Sequence, residues 1–230
     1  MTKIISTIIV LGVIVFIVFA VANKNKNPDI KTDMVDQTEV TATSSVNIPD
    51  GTYIASSTDA KINWTGRKVI LKNWVDKGTI DLKEGSLIVE NGAIVSNRFV
   101  IDMTTIKPLT TGMGGNQDRL ATHLKSDDFF DAAKYPVSTF IAKEFTASTS
   151  NAYIVKGDLT IKGITKEISI PITFDYSDPA FVLARGSVDI DRTLWDVRYG
   201  SEKFFRSLGD NVIDDKFNLA FDVKLRAKAE

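Results

Sequence analysis

From Lys216 to Leu225 every second residue is apolar and large: Phe217, Leu219, Phe221, Val223 and Leu225 alternate with Lys216, Asn218, Ala220, Asp222 and Lys224. Successive side chains of an extended chain point to opposite faces, so this pattern predicts a strand with one buried and one wet face. The same period runs through Ile168, Ile170, Ile172 and Phe174, through Phe99, Ile101 and Met103, and through Ile62 and Trp64. Glycine and polar clusters punctuate the runs and read as turns: Lys83-Glu84-Gly85, Glu90-Asn91-Gly92, Lys156-Gly157-Asp158, Lys162-Gly163 and Ser177-Asp178-Pro179. About eight strands joined mostly to near neighbours predict an all-β fold of antiparallel meanders, barrel or sandwich.

The alternation stops once, between Thr110 and Pro136. Gln117 to Lys125 has helical character, with Leu120 and Leu124 four apart, and Ser126-Asp127-Asp128 offers caps for a short second helix through Phe129, Phe130 and Ala133. Such an insert closes one end of a barrel. Gly112, Gly114 and Gly115 lack the Gly-Lys-Ser/Thr of a phosphate-cradling loop and read as plain loop.

The N-terminus is of another kind. Ile4 to Ala22 carries no charge, and as a helix it would span roughly 28 Å, close to the hydrocarbon thickness of a bilayer. Ala20-Val21-Ala22 also has the small-x-small form of a signal peptidase site. Residues 1–22 therefore read as a signal peptide or a transmembrane anchor, with the length of the run favouring the anchor. Either fate places the protein outside the cytoplasm. Residues 23–48, rich in Asn, Asp, Thr and Ser, read as a flexible linker of roughly 30 Å root-mean-square span. That leaves 49–230 as one domain.

Composition removes several functions. Lys and Arg number 28 against 29 Asp and Glu, so the net charge is −1 and the basic surplus of a nucleic-acid surface is missing. There is no cysteine, which excludes disulfides and thiolate chemistry. The single histidine, His123, has no companions at metal-ligand spacing, so no metal and no cofactor are expected.

Three ordered segments carry a resemblance. HLKSDDFFDAAKYP (123–136), GDLTIKGITKEISIPITF (157–174) and DIDRTLWDVRYGS (189–201) together resemble the YceI-like family of exported, polyisoprenoid-binding proteins. The likeness extends over roughly Thr52 to Lys228. It implies an eight-stranded antiparallel, lipocalin-like barrel with the short helical insert, enclosing an elongated apolar cavity for one long isoprenoid chain of quinone or polyprenyl phosphate type. It also implies export, and a homodimer is compatible with it.

The stripes then nominate a cavity wall of Trp64, Phe99, Ile101, Phe129, Phe140, Leu159, Ile161, Ile172, Phe174 and Phe221, with Arg119, His123 and Lys134 at its mouth as head-group contacts. Of Phe129 and Phe130 one is expected to plug the barrel end. Phe204-Phe205 is expected to lie in a covered loop cluster, and a buried arginine among Arg192 and Arg198 to pair with Asp189 or Asp196. Two other readings stay open. An exported hydrolase would use His123 with Ser126 and Asp127 or Asp128, although no nucleophile elbow surrounds Ser126. A structural or interaction barrel would have a solid interior.

Overall fold

The computed structural model describes residues 46–229 apart from Lys72, Met113 and Gly114. The apolar run 4–22 and most of the expected linker lie outside the described residues. Nine strand segments form one antiparallel sheet: β1 (Gly51–Ser56), β2 (Ala60–Arg67), β3 (Val75–Glu90), β4 (Ala93–Thr110), β5 (Val137–Ala147), β6 (Ala152–Ile161), β7 (Ile164–Asp175), β8 (Phe181–Asp191) and β9 (Lys216–Ala227). Both β1 and β2 pair with β3 on one side and β9 on the other. They are one stave, broken at Ser57–Asp59 by a 3-10 turn. With β3 also pairing to β4, eight staves close the barrel, as the alternation and the resemblance led one to expect.

Two glycine clusters expected as turns are strand interior instead. Lys83-Glu84-Gly85 lies inside β3 and Lys156-Gly157-Asp158 inside β6. Their glycines serve close packing rather than reversal. True reversals occur at Asn91-Gly92 and Lys162-Gly163, where both residues of each pair have positive φ and make the tight hairpin that only such backbones allow.

The two ends of the barrel differ. At one end the strand connections are the tight turn Asn91-Gly92 and the loops 148–151 and 176–180, and an arm formed by residues 46–50 lies among them. Val46 N–H donates to Gly92 O, Asn47 Nδ2 donates to Ser150 O, and the Asp50 carboxylate accepts from Asn91 and Gly92 N–H. Val46 and Ile48 are 3% exposed and join the core. The domain therefore begins before residue 49, and the last positions assigned to the linker are packed chain. Two isolated apolar side chains in a polar stretch give no periodicity, which is why sequence reading left them out.

The other end carries the long loops 68–74, 111–136 and 192–215. Helix α1 (Gln117–Lys125) has the expected bounds, capped by the Asn116 side chain accepting from Arg119 N–H. The second helix does not form. Ser126 caps the C-terminus of α1 instead, its hydroxyl donating to His123 O, and Asp131 adopts a left-handed conformation (φ 48°) that stops any helix. Residues 127–134 are successive turns. No helix among the described residues is long and apolar enough to cross a membrane.

Pairing is uneven around the wall. β4 and β5 pair only over Phe99–Asp102 with Val137–Phe140. Beyond that point the Asn97 side chain takes over, its amide donating to Ala142 O at 2.9 Å and its carbonyl accepting from Ala142 N–H at 2.7 Å. A buried side chain thus satisfies both main-chain groups that the ladder leaves unpaired.

Candidate lipid-binding lumen

The interior is hollow. A chamber of about 490 Å³ opens among the long loops, and a second of about 120 Å³ lies deeper in the barrel. Ile62, Ile101, Leu159 and Leu219 line both and form a waist between them. Side-chain exposure along β9 traces the void. Leu225 is 0% and Val223 5% exposed near the sealed end, whereas Leu219 and Phe217, which share their face, are half-buried because they border open space.

Each of the ten nominated wall residues borders one of the chambers. Trp64, Phe129 and Ile161 line the outer chamber, Ile101 and Leu159 the waist, and Phe99, Phe140, Ile172, Phe174 and Phe221 the inner chamber. Sequence reading missed Met103, Leu124, Phe130 and Trp74 on the outer wall. Leu124 and Phe130 stood in the insert without a strand period to orient them, and Trp74 sits in a loop with no pattern at all.

What keeps the lumen open is a set of notches. Inward-facing aromatics lie against glycines of the neighbouring stave. A Cβ on Gly78 would stand 2.4 Å from the Trp64 ring, on Gly85 3.0 Å from Phe99, on Gly157 2.8 Å from Phe140, and on Gly186 2.5 Å from Phe221. Trp64–Gly78, Phe99–Gly85 and Phe221–Gly186 are directly paired across their ladders, so each ring covers the gap where its partner has no side chain. Rings laid flat on the wall leave the axis free.

Of the three residues nominated for the mouth, Arg119 and His123 of α1 border the outer chamber and Lys134 does not. Lys134 is exposed, with its ammonium 5.1 Å from the Tyr135 ring. It follows the Asp131 reversal, which turns it away from the opening. His123 stands edge-on to Phe129 and Tyr199, with ring centroids 4.9 and 4.5 Å away, and its Nε2 lies 3.3 Å from Asp128. Phe129 is buried at the rim and Phe130 packs edge-on to Phe217, so both face the opening. Arg67 and Lys216 also reach the outer chamber, and among the described residues neither they nor Arg119 has a carboxylate partner. No group of three acidic or histidine side chains among the described residues is placed to hold a metal ion.

The long loop 192–215 is built on Arg192, 4% exposed. Its guanidinium donates to the carbonyls of Asp214, Val197 and Ile213 at 3.0, 2.8 and 3.1 Å, with Asp215 3.8 Å away. Burial lowers its pKa, and the charges of Asp215, Asp191 and Asp214 oppose that shift. The expected partners were different: Asp189 bonds Asn218, and Asp196 pairs with the exposed Arg198. Trp195 is buried beside this loop, its indole N–H donating to Leu159 O at 3.1 Å. Phe204 and Phe205, expected under cover, are 43% and 47% exposed.

The comparisons agree with this architecture. BcnA of Burkholderia cenocepacia superposes with a TM-score of 0.56 at 18% identity, covering 74% of this chain and 98% of that one. A polyisoprenoid binding domain from Saccharophagus degradans, implicated in plant cell wall breakdown, gives 0.56 at 16% identity, covering 78% and 100%. At these identities the likeness is one of fold. A UPF0312 protein of Vibrio cholerae is 29% identical over 119 residues, 52% of this chain and 57% of its own length. Another from Pseudomonas savastanoi is 36% identical over 66 residues, 29% and 34% respectively. The matched regions thus span about half or less of the curated relatives' length. The YceI-like domain itself matches residues 53–225, from the first stave to the last, and the chain belongs to the YceI-like family.

Proposed function

We propose that this domain binds a single long isoprenoid lipid with its tail in the lumen, and stores or carries it without covalent chemistry. The observation that carries this reading is the pair of chambers in line, with an apolar inner wall kept clear by aromatic rings seated on glycine. The polyisoprenoid-binding domain of Saccharophagus degradans shares the fold, which supports the same class of ligand here.

Energetics put the tail before the head. Burying lipid contributes about 0.8 kcal/mol per CH₂, so ten sheltered carbons offer about 8 kcal/mol before ordering costs. An exposed ion pair to a head group adds about 0–1 kcal/mol. The lumen therefore sets affinity, while Arg119, His123, Arg67 and Lys216 at the mouth orient a quinone or polyprenyl phosphate head. Catalysis has little to build on. The Ser126 hydroxyl is spent on the His123 main-chain carbonyl, and the imidazole faces Asp128. With the N-terminal run as signal or anchor, the site of action is outside the cytoplasm beside a membrane.

A chain trimmed to residues 37–230 is to be purified without detergent and weighed by native mass spectrometry, then extracted with organic solvent. A bound mass identified in the extract as a prenyl lipid is the expected result. An apo mass together with no uptake of added polyprenol or long-tailed quinone overturns the reading.

A further inference from the structure

We propose that the mouth end of the barrel docks onto a lipid bilayer, with loops 68–74 and 192–208 lying in the membrane interface. Large apolar side chains that are well exposed number nine among the described residues, and they are not scattered. Val69, Ile70, Leu194, Tyr199, Phe204 and Phe205 all lie in these two loops, with exposures of 42–53%. Leu109, at the mouth end of β4, makes a seventh. Only Ile54 and Ile154 lie elsewhere, on β1 and β6.

The two loops form one surface. Val69 N–H donates to Val212 O, Lys68 bridges to Ile213, and Ile213 N–H donates to Gly200 O. Lys68, Tyr199 and Ile213 also line the outer chamber, so the exposed apolar surface runs up to the opening itself. Contiguous exposed apolar surface of this kind marks a docking face.

Three observations select a bilayer as the occupant. Among the four charged side chains at 198–206, Arg198 pairs with Asp196 and stacks on Phe204, and Lys203 pairs with Asp191 and Asp215. The exposed Glu202 and Arg206, without an ion-pair partner among the described residues, are one of each sign and leave no net charge. That suits an apolar phase better than an acidic or basic protein partner. The apolar run Ile4–Ala22 is long enough to span a membrane as a helix. Residues 23–45 could extend to about 75 Å, whereas a barrel stave such as the eleven residues of β8 rises only about 28 Å when tilted. Val46 lies at the end opposite the mouth, and the 23 residues before it are chain enough to reach past the length of the barrel to the mouth end. A lipid could then pass between bilayer and lumen without crossing water. Docking goes beyond the ligand reading, because the contact concerns the rim and not the lumen.

The chain has no cysteine of its own, so single thiols report single positions. Phe205→Cys, Ile70→Cys and Ile154→Cys are made in the full chain, coupled to an environment-sensitive fluorophore and reconstituted in phosphatidylcholine vesicles with and without acyl-chain nitroxide lipid. Labels at 205 and 70 are expected to shift to the blue and to be quenched at least twofold more than the label at 154. Adding Phe204→Ser and Phe205→Ser to the Ile70→Cys chain is expected to abolish that excess quenching. Equal quenching at all three positions overturns the proposal. So does a blue shift without lipid quenching, which assigns the face to a second copy or another protein. Either result leaves ligand retention, read separately by mass, untouched.

Discussion

Gly186 on β8 and Phe221 on β9 are paired across their ladder, and the ring of Phe221 occupies the space that any side chain at position 186 would need. This contact ties lumen width to a residue with no side chain. Gly186→Ala would place a Cβ 2.5 Å from the ring edge and 2.9 Å from the Pro171 carbonyl. The ring borders the inner chamber and can yield into it. We expect a folded barrel, by circular dichroism, with at least tenfold weaker uptake of a long prenyl chain and smaller loss for a short one.

Leu219 sits at the waist. Leu219→Trp fills space between the chambers, and overpacking of this kind costs about 1–3 kcal/mol where no void exists to accept it. With open space beside it the expected stability cost is at the low end of that range. Co-purifying lipid should shorten while the outer chamber still takes small apolar probes, as read by mass of the extracted ligand against dye binding.

Asn97→Ala strands both the N–H and the carbonyl of Ala142 in a buried setting. Each unsatisfied group costs about 1–3 kcal/mol, so a loss of about 2–6 kcal/mol is expected in urea unfolding. Faster amide exchange at the β4–β5 seam should accompany it. Asn97→Leu is expected to fare no better, because shape without hydrogen bonds leaves the same two groups unpaired.

Loop 192–215 should loosen at acid pH. Burial pushes the Asp191 carboxyl up, but hydrogen bonds from Lys203 and Thr193 and the Lys203 charge outweigh it, leaving the pKa below its ordinary value. A depressed carboxyl stabilises the fold above its unfolded value, about 3.9, and that contribution disappears as pH falls through the lower folded value. The Lys203 ammonium, raised chiefly by its bond to Asp191, contributes below about pH 10.4 and loses that contribution as pH rises through its folded value. Asp191→Asn should flatten the acid limb of a thermal-stability profile while still capping Thr193. An unchanged acid limb would contradict the assignment.

Strand identity and lumen-facing residues were legible because alternation is local: the β9 stripe alone orients five side chains. Helix α1 was legible from Leu120 and Leu124 and from its caps. Other features depended on partners distant in sequence. Gly85 and Gly157 read as turns because a glycine beside charged residues carries the same local signal whether the chain reverses or a ring from the next stave presses on it. Arg192 meets Asp215, 23 positions away, which no spacing rule anticipates. The helix expected through Phe129 and Phe130 failed at Asp131, whose left-handed backbone is set by the turn it closes onto Ser126.

Packed side chains at the end opposite the mouth, Val46 and Ile48 among them, make the lumen a blind tube. Such a tube behaves as a depth gauge: a hydrocarbon shorter than the bore leaves voids below it, and a longer one must keep its surplus length outside. For a prenyl ligand, discrimination among otherwise identical chains would then come from the count of repeating units, fixed by where the packed end of the barrel begins.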